Sequence, residues 1–350
     1  EKSLDFEDVL LLSVGMLEEE RGVRERVRDQ YRYFTVDEYQ DVSPLQQRLL
    51  NLWLGNREEI CVVGDAAQTI YSFAGATSNF LLNFKNRFPN AQIFRLTTGY
   101  RSTPEIINTA NLILRSSNLI SDQVLELQSI NSHGEKPFVN GFTSPADEIS
   151  YVANEVLQQI KSGVDSSDIA VLARTNAQLD QVKSALNNLK VVSQIRSGKR
   201  FFERVDVRDA MRLIRGASVL PSEGGDWYAD LVAVLQPFGD ADYVTAFLRL
   251  AKSIKDNGGE NMRAFLRELE DRAEQNNPPT LPGVTLATLH AAKGLEWDHL
   301  YLIGVSDGVL PMGNDLNEER RLFYVGVTRA KQRIQITYAG KPSVFLEHFN

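Results

Sequence analysis

Short apolar runs that alternate with helical stretches constrain this chain more than any other feature. Residues 31–36, 60–63 and 92–96 read as strands, with helices expected over 17–31, 44–54 and 104–114. Strands without an in-out alternation are buried on both faces, and buried strands joined through helices build parallel sheets. Ser43-Pro44 is a helix start signal, and Ile106, Ile107, Ala110 and Ile113 share one face of the later helix. A second set follows, with strands at 138–142, 169–173 and 191–196 around helices at 146–162 and 177–189. Helices near 226–235, 242–254 and 261–275 interrupt the alternation, and strands resume at 285–289, 299–303 and 333–338. The predicted class is α/β, two parallel-sheet domains with a small helical insertion in the second. A polar, Ser- and Asn-rich stretch at 116–136 reads as the linker between them.

At 350 residues and 43% apolar content the chain is long enough for two or three cores. No apolar run approaches the roughly 20 residues that span a bilayer, so no membrane partner is expected. A net charge of −8 argues against attraction to nucleic acid over the whole surface, but leaves room for a local strand-binding cleft. The single cysteine, Cys61, lies in the run Ile60-Cys61-Val62-Val63 and is expected in the core, and one thiol fits a reducing, cytoplasmic setting.

The chemistry-bearing residues gather where these strands run out. Val36-Asp37-Glu38-Tyr39-Gln40-Asp41 places two carboxylates after the first strand. One can hold Mg²⁺ while the other polarises a water for attack on a phosphate; an ordinary acidic surface pair is the plainer reading. Gln68, in Gly64-Asp65-Ala66-Ala67-Gln68, has an amide able to orient a water or touch a γ-phosphate. Tyr71 and Phe73 are either core aromatics or stacking platforms for single-stranded bases. Tyr100-Arg101 offers an aromatic face and a guanidinium fork for phosphate oxygens. Downstream, Thr288, His290, Lys293, Gly294 and Glu296 fall within one turn-sized segment. Glu318 to Lys331 reads either as a charged amphipathic helix with Leu322, Phe323 and Val325 inward, or as the carrier of a phosphate-sensing Arg329.

In this order the segments resemble superfamily 1 DNA helicases of the UvrD/Rep/PcrA type. VDEYQD resembles motif II, VVGDAAQTIYSFAGA motif III, LTTGYRS motif IV, TLHAAKGLEW motif V and EERRLFYVGVTRAK motif VI. Gly198 to Ala210 resembles a further segment of the second motor domain. The resemblance implies two RecA-like domains, the first incomplete: 1–120 as the end of the first, 121–215 and 284–350 as the second, and 216–283 as a shortened accessory insertion. It implies ATP with Mg²⁺ as cofactors, Asp37 as the metal ligand, Glu38 as activator of the hydrolytic water and Gln68 as γ-phosphate sensor. Tyr100 would stack on adenine, Arg101 and Arg329 would be arginine fingers, and Gly294 and Glu296 would lie at the nucleotide, Glu296 on its ribose. Tyr71 and Phe73 would lie against DNA bases, with Thr288 and His290 contacting the strand.

The sequence departs from the family in several places. Phe73-Ala74 stands where Trp-Arg is usual, and Gly99 where an asparagine is usual. No G-x-x-x-x-G-K-[ST] loop occurs; Gly198-Lys199 is followed by Arg200 and Gly340-Lys341 by Pro342. The resemblance therefore implies a segment before Glu1 that carries this loop, and no hydrolysis by residues 1–350 alone. The activity expected of the whole is ATP-driven 3′→5′ movement on single-stranded DNA and unwinding at duplex junctions, in DNA repair. The alternative is a module without a phosphate loop that holds single-stranded DNA or a protein.

Overall fold

The computed structural model describes residues 5–115, 125–196, 201–219, 226–239, 241–258, 261–274, 279, 283–313, 315–347 and 349. Its chain divides into two compact units, one of Glu1–Glu135, Leu310–Thr328 and Ser343–Asn350, the other of Lys136–Val309 and Arg329–Pro342. The sequence reading divided the chain at 120/121 and gave all of 284–350 to the second domain.

The second unit is built on six parallel strands: β5 (Phe138–Phe142), β6 (Ile169–Ala173), β7 (Ser193–Arg196), β8 (Val284–Thr288), β9 (Trp297–Leu302) and β10 (Ala330–Ala339). They lie in the order β5-β10-β9-β6-β8-β7. Strand β6 is buried at all five residues, as an Ile-Ala-Val-Leu-Ala run between two neighbours must be. Helices α7 (Pro145–Lys161) and α8 (Asn176–Asn188) bury Val152, Val156, Leu179, Val182 and Leu186 into the same core as Val171, Leu286 and Tyr301. Both start on side-chain caps, Ser144 for α7 and a Thr175–Gln178 capping box for α8.

Within this unit a separate core joins α9 (Val205–Ala217), α10 (Trp227–Leu235), α11 (Asp242–Asp256) and α12 (Met262–Glu274). Trp227 stacks on Phe265, and Phe201, Tyr243 and Phe247 meet edge to face around them. The helices expected over 226–275 are thus present, and Phe201 and α9 belong to their cluster as well.

The first unit opens with α1 (Phe6–Glu19) and α2 (Arg21–Gln30), so the single helix expected over 17–31 is two, broken at the extended Glu20. Val14 and Leu17 of α1 pack on Leu49 of α3 (Pro44–Leu54), which begins on a Ser43–Gln46 capping box. Strands β1 (Phe34–Val36) and β2 (Ile60–Val62) form a parallel pair, and β3 (Thr98–Gly99) pairs with β4 (Gln128–Ser129). Helix α6 (Pro104–Arg115) buries the expected face.

Helix α13 (Leu316–Val327) packs in this unit and is buried nearly all round, Glu319 and Arg320 included. The amphipathic reading of that segment was therefore too simple. Phe323 stacks on Phe345 at 5.7 Å, and the Arg320 guanidinium lies over the same ring.

Two strand readings in this unit are corrected. Residues 92–96 form no strand, and Ile93, Phe94 and Leu96 are exposed. Residues 60–62 do form one, but β1 and β2 are only half buried, and Cys61, paired with Thr35 on their open face, is exposed rather than in the core. The cause is common to both: a strand is buried only when neighbours and covering helices are present, and among the described residues this sheet is two strands wide. Among the described residues no helix is long and apolar enough to cross a membrane.

Candidate functional site

Strand β1 delivers Asp37 and Glu38 to its C-terminal end, where both are exposed. Asp37 Oδ1 accepts the Glu38 N–H at 2.8 Å, and Glu38 takes a left-handed backbone with φ of 50°. A non-glycine residue in that region costs about 1–2 kcal/mol, so surrounding contacts must hold it. The Tyr39 N–H bonds Val63 O, which ties this turn to the end of β2.

The next residue but one supplies the link between motifs. Gln40 is 1% exposed; its Nε2 donates to Glu38 Oε2 and its Oε1 accepts the Asp65 N–H at 3.0 Å. Asp65 in turn accepts from Ala67 N and from Gln68 Nε2, each at 2.9 Å. One hydrogen-bonded path thus runs from Glu38 through Gln40 and Asp65 to Gln68. At Gly64 beside it a Cβ would come to 2.5 Å from Gln40 Oε1 and 3.1 Å from Leu81 Cδ2, so a larger residue there would push this amide aside.

Tyr71 and Phe73 follow on the same stretch, edge to face at 6.1 Å. Phe73 is 77% exposed, whereas burial, then the charges of Asp41 and Glu38, raise the Tyr71 phenol above its usual range. Ser72 between them is held by Glu318 of α13: its N–H donates to Oε1 at 3.0 Å and its hydroxyl to Oε2. Arg321, one turn on, donates from Nε to Thr69 O at 2.7 Å, and burial lowers its guanidinium's pKa.

Tyr100 and Arg101 leave β3 on an exposed loop. Asn131 Nδ2 donates to Tyr100 O and Ser102 O, and Ser129 Oγ donates to Ser102 O at 2.6 Å. His133 Nδ1 and the Gly134 N–H meet the Glu105 carboxylate, and the Gly134 bond with the His133 contact holds its pKa at about 2. At Gly99 a Cβ would find its nearest neighbour at 3.7 Å, so space alone does not exclude the asparagine usual in the family.

In the second unit Thr288 ends β8 and caps a turn, its Oγ1 accepting the Ala291 N–H at 3.3 Å. His290 is partly buried in that turn, and Gly294 closes it with φ of 81°, a conformation that favours glycine. Glu296 is exposed just before β9. Arg329 is almost wholly buried; its Nη1 donates to Leu295 O at 3.4 Å and its carbonyl accepts the Trp297 N–H at 3.0 Å. The structure therefore brings Arg329 against the segment that carries Glu296.

Sequence reasoning named Asp37, Glu38 and Gln68 but missed Gln40, Asp65, Glu318, Arg321 and Asn131, which hold them and their neighbours in place. The signal available in the sequence was a glutamine two residues past the carboxylate pair.

Among the described residues no cluster of three or more His, Cys, Asp or Glu could hold a metal. A Mg²⁺ ion needs no such cluster, since it takes one or two carboxylates and fills its octahedron with water and phosphate oxygens. Asp37 fits, with one carboxylate oxygen on Glu38 N. Of the two Gly-Lys pairs, 198–199 lies outside the described residues, and Lys341 is paired with Asp307 at 2.8 Å.

Residues 1–89 match the family model of the UvrD/REP helicase N-terminal domain. Residues 94–218 and 240–341 match that of the UvrD-like helicase C-terminal domain. The ATP-dependent DNA helicase UvrD2 of Mycobacterium tuberculosis H37Rv is 39% identical over 96% of this chain and 51% of its own length. The ATP-dependent DNA helicase PcrA of Staphylococcus aureus Mu50 is 24% identical over 98% of this chain and 60% of its own. This chain thus spans half to three-fifths of the length of these relatives. With both family models matched in order along it, the chain belongs to the UvrD/Rep helicase family.

Proposed function

We propose that the polypeptide to which these residues belong is an ATP-dependent DNA helicase that moves 3′→5′ on single-stranded DNA and opens duplex junctions, in cytoplasmic DNA repair. The carrying observation is the hydrogen-bonded path from Glu38 to Gln68 at the C-terminal end of a parallel strand pair. Asp37 holds Mg²⁺, Glu38 takes the proton of the attacking water, and Gln68 reads the γ-phosphate. Tyr100 stacks on adenine, Glu296 with Gly294 lies at the ribose, and Arg101 and Arg329 offset the charge that develops on the phosphoryl group. Exposed Phe73 and its neighbour Tyr71 meet bases, while Thr288 and His290 contact the strand. Residues 1–120 act as part of the first motor domain, 121–215 with 284–350 as the second, and 216–283 as a reduced accessory insertion.

The phosphate-gripping loop is supplied by a preceding segment. Purified residues 1–350 are accordingly expected to show no ATPase above background with single-stranded DNA, and the full-length product to show turnover that Glu38→Gln abolishes. Glu38-dependent hydrolysis by residues 1–350 alone would overturn the need for that segment. Strand binding without hydrolysis in the full-length product would favour a binding module instead.

A further inference from the structure

We infer that a cavity at the start of β1 and β2 is a binding site for a small polyphosphate, either pyrophosphate or the phosphates of a nucleotide. It stands apart from the proposed hydrolytic centre and does not depend on that reading.

The cavity measures about 500 Å³, within the range of small-ligand sites. Arg28 near the end of α2, Arg32 before β1 and Arg57 before β2 all line it, together with Leu54 and Gly55. Because β1 and β2 run parallel, their starts lie together, at the end of the pair opposite Asp37 and Asp65. The three guanidiniums are not spent alike. Arg57 gives its donors to the main chain: Nε to Leu54 O at 2.9 Å, Nη2 to Trp53 O at 2.7 Å and Nη1 to Arg28 O at 3.0 Å. It satisfies carbonyls at the ends of α3 and α2 and so belongs to the frame. Arg28 gives only Nε, to Leu52 O at 2.8 Å. Its two Nη groups meet no acceptor among the described residues, and neither does any donor of Arg32.

Arg28 is held in place by its surroundings. Gly55 has φ of 66°, and a Cβ there would lie 2.8 Å from Arg28 Cζ, so the guanidinium packs against bare main chain. Burial, then the like charges of Arg24 and Arg57, lower its pKa; Glu25 opposes them least and is itself paired with Arg21 at 2.7 Å. An anion in the cavity relieves that repulsion and accepts from the Arg28 Nη fork, with Arg32 as a second donor. Asp29 and Glu59 also line the cavity, both exposed, and among the described residues neither forms an ion pair with these arginines. They favour a short anion over a nucleic-acid strand, whose continuous phosphates would run past both carboxylates.

Residues 1–350 contain no phosphate loop, so pyrophosphate bound to them reports this cavity and not an ATP site. Isothermal titration with pyrophosphate is expected to show one site. Arg28→Gln and Arg32→Gln should each weaken it about tenfold or more, the loss of a charge-assisted bond. Arg32 is exposed, so its variant should keep the parent's thermal midpoint while losing the ligand. The full-length product, with its ATP site filled by a non-hydrolysable analogue, should bind pyrophosphate in the same way. No binding, or equal binding by the parent and both variants, overturns the inference. So does binding by residues 1–350 that the full-length product lacks. If a thymidine oligonucleotide displaces pyrophosphate and both variants lose strand affinity alike, the occupant is a strand backbone and the small-ligand site is refuted.

Discussion

Arg329 shows how burial dictates the choice of substitution. At 3% exposure, its removal to alanine would lose packing and the bond to Leu295 O as well as a charge. Arg329→Lys keeps the charge and most of the stem but loses the planar fork. In the full-length product it should cut strand-stimulated ATPase by ~10³-fold, the scale of a lost arginine finger, with strand affinity nearly unchanged in a fluorescence titration. A parallel loss of strand binding would assign Arg329 to structure instead. At this scale the sequence placed the acidic pair after the first strand and Gln68 after the second, and the structure has them there. It did not reveal Gln40–Asp65, since that contact depends on which residues of β1 and β2 stand side by side: Phe34 with Ile60, Val36 with Val62.

Among elements, α7 carries a carboxylate whose placement makes stability pH-dependent. Glu148 is buried in its first turn, and Oε1 accepts from Gly304 N at 2.8 Å and from Thr337 Oγ1. Burial raises its pKa above the usual 4.5, and those two bonds only partly oppose the rise. The folded state therefore holds this proton more tightly than the unfolded chain. Its contribution is full below pH 4.5 and is lost as pH rises through the folded value. Glu148→Gln should leave the melting temperature unchanged near pH 4 and raise it at pH 8 by about 2–4 °C, the shift that ~1 kcal/mol makes in a domain of this size. A scan showing the same difference at both pH values would refute this. Elements with local start signals were legible: Ser43-Pro44 placed α3 to the residue. The six strands of the second unit were found to within three residues at each end, because their apolar runs meet real neighbours. The run at 92–96 looks the same in sequence and fails as a strand because no strand pairs with it among the described residues.

For the molecule as a whole, the two units differ in how far their apolar residues are covered. The second closes a six-stranded sheet under helices, while the first leaves Tyr33, Ile93, Phe94 and Leu96 exposed. On the proposed function, the segment that supplies the phosphate-gripping loop would cover these residues. Replacing Ile93, Phe94 and Leu96 together by serine should change the stability of residues 1–350 by less than about 0.5 kcal/mol per site, as at ordinary surfaces. In the full-length product the same change should cost about 1.5–3 kcal/mol for each side chain fully buried. Equal effects on chemical denaturation of both proteins would rule the cover out.

Helix α13 has one more implication. Its residues, with Ser343–Asn350, pack in the first unit, although the strands on either side of it in sequence belong to the second. A cut between Glu135 and Lys136 would therefore leave the larger piece carrying Glu318, Arg321, Phe323 and Phe345, which belong in the smaller piece's fold. Residues 1–135 and 136–350, produced as separate polypeptides, should recognise each other and co-elute on size exclusion. Glu318→Ala with Arg321→Ala should loosen that pairing. The fold thus supplies a ready split site for a two-part reporter of this protein's assembly.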